Sequence, residues 1–484
     1  MLKKVIIAGA IALGLLIGPM MGYALAEPSS AEAAIANAQT AADTGYMLIC
    51  SALVLLMTPG LAFFYGGFVR SRNVLNTMMM SFVLMALVGV TWVLWGYSLA
   101  FSPGNSFIGG LKWVFLNGVG IDTTPYLPHM AYENALKAAD PKYSDLVSYA
   151  PTIPNQAFMI YQAMFAIITP ALISGAIVER VSFRAYFLFV LIWSTVIYSP
   201  LAHMVWAKGG FLGLSGGLGA LDFAGGTVVH ISSGVSALVA AWVIGPRQTY
   251  PDQPAPPHNV PFILLGAGLL WFGWFGFNAG SALASGSLAT VAFVATNTAT
   301  AGAALAWMIL EWGLRGKPTA VGIATGAVAG LVGVTPAAGF VTPIGALLIG
   351  GIVSFCCFFA ISIKVKLQFD DSLDTYGVHG VGGTLGALLT GVFATKAVNS
   401  GGADGLIYGN PSQVLVQLEA VAITYVLAGV GTFIILKILD ATVGLRVKPD
   451  IEIQGVDINQ HGEEGYGEDF ASGFNIAGAS GELR

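Results

Sequence analysis

The feature that most constrains this chain is a series of eleven apolar stretches, each long enough to cross about 30 Å of hydrocarbon. They begin near Thr44, Thr77, Asn155, Phe183, Phe223, Val260, Ala284, Pro318, Pro343, Tyr376 and Gln413. A soluble fold of 484 residues could not cover so much apolar surface, because exposed area still grows with mass. Charged residues make up only 9% of the chain, against about a quarter in soluble domains. A soluble enzyme, a nucleic-acid binder and a disordered scaffold all fit this pattern poorly. The expected fold class is an all-α polytopic membrane protein with 11 transmembrane helices. Breaks such as Thr58-Pro59-Gly60 and Thr169-Pro170 are tolerated where helices are bundled.

The first 26 residues read as a secretory leader. Lys3 and Lys4 precede an apolar run over residues 5–21, and Ala24-Leu25-Ala26 supplies a cleavage site. The alternative is a retained first helix. Cleavage leaves the mature N-terminus outside, and eleven spans then put the C-terminus inside. The basic residues test this independently, because positive charge collects on the inner side. Arg70, Arg72, Arg180, Arg184, Arg247, Arg315, Lys317, Lys364, Lys366, Lys437, Arg446, Lys448 and Arg484 fall on the expected inner side. Lys112, Lys137, Lys142, Lys208 and Lys396 fall outside. Residues 27–440 thus form a membrane domain with a long outer loop over 102–154, and residues 441–484 form a cytoplasmic tail. Cys50, Cys356 and Cys357 lie in apolar runs and resemble small core residues more than a disulfide framework.

Eleven spans divide as five, five and one. A five-span repeat has an odd count, so its second copy must be inverted. Span five opens Asp222-Phe-Ala-Gly-Gly-Thr-Val-Val-His230 and span ten opens Asp374-Thr-Tyr-Gly-Val-His379, each followed by small residues. His230 lies about 12 Å past Asp222 at 1.5 Å per residue. His379 enters from the opposite face, so the two can meet near mid-membrane. Ionisable groups at that depth are costly and point to function. A histidine satisfied within the bundle is the plain alternative, and a pair of axial haem ligands is another.

Around this pair lie aromatics rather than charges. Ala202-His203-Met204-Val205-Trp206 ends span four at the outer face, Trp271 to Ser281 runs to the outer end of span six, and Tyr161 and Phe165 sit one turn apart in span three. Aromatic faces attract cations, Trp most strongly, and the Ser281 hydroxyl adds an acceptor. The set suits a small cation that donates hydrogen bonds. Gly316-Lys317 is followed by Pro318, so no phosphate-binding loop for an ATP-driven pump is present.

With these motifs the chain resembles the ammonium transporter (Amt) family of the Amt/Rh superfamily, from about Thr44 to Tyr466. Phe63-Phe-Tyr-Gly-Gly-Phe-Val-Arg70, Gly175-Ala-Ile-Val-Glu179-Arg180, Ala202-His-Met-Val-Trp206, Trp274-Phe-Gly-Phe-Asn-Ala-Gly-Ser281, Phe369-Asp-Asp371, Tyr376-Gly-Val-His379 and Gly444-Leu-Arg-Val447 carry the resemblance in order. It implies an ammonium transporter rather than an enzyme, with no cofactor or metal, built as a homotrimer of eleven-helix subunits each with its own pore. Trp206, Ser281 and Tyr161 would form an outer recruitment site, with Asp222 organising it from the helix start. Phe165 and Phe277 would be the gate, and His230 and His379 the twin histidines of an apolar pore. The Tyr161 hydroxyl departs from the phenylalanine often found there. A sensor of the same fold with little flux is the alternative. The tail motif Gly455 to Glu463 resembles the region that in bacterial relatives cooperates with a PII-type signal protein. The resemblance also implies the inner membrane of the cell.

Overall fold

A computed structural model describes residues 30–119, 149–150, 152–214, 216–252 and 256–466. The expected leader, the middle of the long loop with His129 and Asp140, and the last acidic residues of the tail lie outside the described residues. The described chain is helical, with two isolated bridges, Gly104 to Gly109 and Val181 to Arg446.

All eleven expected spans are helices. We label them α1 (Ala34–Phe68), α2 (Ser71–Phe101), α3 (Asn155–Ser174), α4 (Phe183–Trp206), α5 (Gly226–Ile244), α6 (Val260–Ala282), α7 (Ser287–Arg315), α9 (Pro343–Lys366) and α11 (Ser412–Thr442), with α8 (Ala320–Val334) and α10 (Tyr376–Gly380 running on as Val381–Phe393) between them. Two short helices, α12 (Pro449–Gln454) and α13 (Val456–His461), follow α11. Nine of the eleven, among the described residues, are long and apolar enough to span hydrocarbon alone. Of the other two, α8 is short at 15 residues, and α10 is glycine-rich; both suit a bundle interior, where neighbouring helices cover them.

The inverted repeat is visible in local geometry. Residues 175–180 after α3 and residues 335–340 after α8 are both six-residue turns. Each leads to a hydroxyl cap: Ser182 accepts from the Ala185 amide at the start of α4, and Thr342 from the Gly345 amide at the start of α9. Both α5 and α10 open with a wide π-type turn that carries its histidine. The acid that caps α10 is not the one that opens the span-ten motif. Asp371, not Asp374, accepts from the Thr375 and Tyr376 amides, as Asp222 does from Gly225, Gly226 and Thr227. Asp371 stands eight residues before His379, the same interval as Asp222 to His230.

Equivalent helices of the two halves pack on each other. α5 crosses α10 so closely that a Cβ at Gly234 would lie 2.2 Å from the Gly380 amide nitrogen, and one at Gly383 would lie 2.8 Å from the His230 Cβ. Without side chains there, the backbones approach and the two histidines are drawn to one level. α6 lies against α1 along Gly266, Gly273 and Gly276, where added Cβ atoms would meet α1 at 2.3–2.7 Å.

Candidate functional site

The wide opening turns of α5 and α10 aim His230 and His379 at each other. Their Nδ1 atoms are 3.3 Å apart and their rings 5.3 Å, tilted by 26°. Both are buried. Of two Nδ1 atoms in contact only one can carry the shared proton, so one ring donates and the other accepts. Trp274 stacks on His230 at 5.4 Å and 19°, and its indole N–H donates to the Thr335 hydroxyl at 2.9 Å, which fixes the ring face presented to His230. The Nε2 of His230 is buried and has no hydrogen-bond partner among the described residues.

Toward the Trp206 end, Phe277 lies 6.1 Å from the His230 ring and stacks on Phe165 at 4.2 Å and 30°. Trp206 meets Phe165 edge-on at 5.8 Å, and Tyr161 does so at 5.0 Å. The Trp206 indole donates to the Asp222 carbonyl at 3.0 Å. The Asp222 carboxylate meanwhile takes four amides of the α5 start, those of Gly225, Gly226, Thr227 and Val228, and the Thr227 hydroxyl. Asp222 therefore holds both the helix start and the indole. The Tyr161 hydroxyl donates into α6, 2.8 Å from the Phe277 carbonyl and 3.0 Å from that of Gly276, and sits 3.2 Å from the Ser281 Oγ. Ser281 in turn donates to the Phe277 carbonyl at 2.9 Å. All eight residues singled out from sequence are thus joined in one run of contacts.

The family model described as Ammonium Transporter Family matches residues 45–466. The chain belongs to that family. It is 49% identical over 425 residues to an ammonium transporter of Bacillus subtilis, an alignment covering 88% of this chain and 98% of that one. Among solved structures it resembles Saccharomyces cerevisiae Mep2 with a TM-score of 0.75 and 35% identity, covering 84% of this chain and 88% of that one. It also resembles a protein titled Sensor Amt Protein, with a TM-score of 0.75 and 27% identity over 88% of this chain and 99% of that one. The chain is a multi-pass membrane protein of the ammonium transporter family, and not an enzyme.

Beyond His379 this family member has a pocket lined by Phe64, Tyr65, Phe68, Thr325, Asp374 and His379, among others. Below it lies an arginine-rich face. Glu179 is 2% exposed and joins Arg70 at 2.9 Å and Arg247 at 2.7 Å. Arg247 continues to Asp370 at 2.8 Å. Burial favours the neutral Glu179 acid, but Arg247 and Arg70 outweigh it and hold the carboxyl down at about 2. Asp371 has no such pair of cations. Burial pushes its carboxyl up to about 6, with Lys364 pulling the other way. The sequence reading missed three supports of the site: the Trp274–Thr335 bond, the Asp371 cap and the Glu179 ion-pair network. Only Asp371 left a usable signal, its eight-residue interval to the histidine.

Proposed function

We propose that this ammonium transporter recruits ammonium at Trp206, Ser281 and Tyr161, passes it beyond Phe165 and Phe277, and conducts ammonia along His230 and His379. One observation carries the reading. Beneath a closed phenylalanine pair, the paired histidines are buried among apolar groups and leave the Nε2 of His230 without a partner among the described residues. Ammonium has four donors and no acceptor, so aromatic faces and hydroxyl oxygens can take over part of its hydration. A bare cation among phenylalanines is prohibitively costly, whereas neutral ammonia is not. Loss of the proton near Phe165 avoids that cost, and neutral imidazoles can then accept or donate along the line.

Solid-supported membrane electrophysiology on reconstituted protein tests this, comparing ammonium, methylammonium, potassium and sodium. We expect currents selective for ammonium and methylammonium that His230→Ala or His379→Ala abolishes. Undiminished selective current in both variants refutes the role of the pair. The likeness to a protein titled as a sensor supports a second reading, in which ammonium binds tightly with negligible flux. Strong binding without current selects that reading.

The proposal extends to a homotrimer in the inner membrane, with the leader over residues 1–26 removed and the arginine-rich face cytoplasmic. A PII-type signal protein would dock on that face. Pull-down with the cognate PII protein, with and without ADP and 2-oxoglutarate, tests the partner.

A further inference from the structure

Asp374 is a charged group next to the histidine line to which the reading above gives no task. It lines the pocket that reaches His379, together with Phe64, Tyr65, Phe68 and Thr325. Aromatic faces, oxygen acceptors and a carboxylate suit a small cation that donates hydrogen bonds. The carboxylate is already engaged. Lys364, near the end of α9, forms an ion pair with Asp374, and the same ammonium group donates to the Asp371 carbonyl at 2.7 Å. The side chains are 30% exposed for Asp374 and 16% for Lys364, so the pair sits where solute can reach it. A lysine head group is an alkylammonium, with three donors and no acceptor. It is the closest chemical relative of ammonium that a protein can place on its own carboxylate.

We infer that the Asp374 pocket is an ammonium-binding subsite on the arginine-rich face, and that Lys364 limits its occupancy as a built-in competitor. The inference rests on the ammonium reading given above. A lone carboxylate at the mouth would retain the cation and slow its departure. A tethered ammonium group competes at high effective concentration, so the subsite attracts ammonium and still releases it.

The test uses the full chain in proteoliposomes, with ammonium-driven current measured against increasing ammonium preloaded inside the vesicles. Lys364→Met frees the carboxylate, and preloaded ammonium then inhibits at about fivefold lower concentration, the effect of one partly exposed ion pair. The double variant Lys364→Met/Asp374→Asn loses that added sensitivity. Lys364→Arg keeps a cation with a donor fork matched to a carboxylate, and is inhibited no more easily than the wild type. Unchanged sensitivity in Lys364→Met, or a double variant as sensitive as Lys364→Met, overturns the inference. Should Lys364→Met fail to fold, Asp374→Asn decides: inhibition weaker than wild type supports the subsite, and equal inhibition overturns it. Selective current in the wild type establishes the parent reading separately; its absence overturns both.

Discussion

Tyr161 illustrates how much one hydroxyl can organise. Its ring belongs to the aromatic group with Phe165, while its oxygen reaches the carbonyls of α6 and the Ser281 side chain. The departure from phenylalanine noted in the sequence therefore fastens α3 to the end of α6. We expect Tyr161→Phe to cost about 1 kcal/mol, the worth of one net hydrogen bond, and to raise the half-saturating ammonium concentration while maximal current persists. Thermal unfolding and concentration-dependent currents check the two parts. Glu179 is the opposite case, a buried carboxylate between two arginines. Glu179→Gln leaves those cations short of a partner and should cost about 3–5 kcal/mol, read from thermal unfolding in detergent. The sequence contained both residues in plain view. What it did not contain was the partner of each, because Gly276, on α6, and Arg247, in the connection after α5, lie far along the chain.

At the scale of elements, the crossing of α5 and α10 is the joint on which the histidine pair depends. The small residues after each histidine were legible as close-packing positions, and the structure gives them their task at Gly234 and Gly383. Gly234→Ala places a Cβ against the backbone of Gly380, where no flexible side chain can give way. We expect a loss of about 1–3 kcal/mol or more, visible as a lowered melting temperature, together with reduced ammonium-driven current as the rings separate. The capping acid of α10 was less legible. Asp374 is nearer to the helix but does not cap it. The chain passes it in a left-handed conformation, φ 60°, and the cap comes from Asp371 instead.

For the whole molecule, the tail and the ion-pair network tie the arginine-rich face together. The Asp457 carboxylate of α13 accepts from the Leu75 and Asn76 amides at the start of α2, acting as a cap supplied from the other end of the chain. The Val456 amide donates to Asn73, and the Phe183 amide to Gln460. His258, which sequence reading passed over, sits with Nδ1 2.7 Å from the Val69 carbonyl and Nε2 2.7 Å from the Tyr466 hydroxyl. A chain ending at residue 448 should melt earlier and show faster amide exchange at the start of α2. Acid should act through Glu179. Its ordinary value of 4.5 falls to about 2 in the folded state, so its stabilisation is complete above 4.5 and lost as pH drops toward 2. Asp371 works the other way: with its value raised from 3.8 to about 6, its contribution to stability declines as pH rises across that interval. Unfolding measured from pH 3 to 7 on wild type, Glu179→Gln and Asp371→Asn separates the two.

The sequence by itself determined the solvent, the span count, the inverted repeat and the residues along the aromatic and histidine line. These follow from hydrophobic run length, from the scarcity of charge in lipid and from motifs local enough to read in one stretch. Only the tertiary structure decided which atoms meet: the shared Nδ1 contact of the histidines, the Thr335 bond that sets Trp274, the Asp371 cap of α10, and the Lys364 grip on Asp374. Each depends on a close backbone approach or on a partner from another element, and a one-dimensional pattern does not carry that distance.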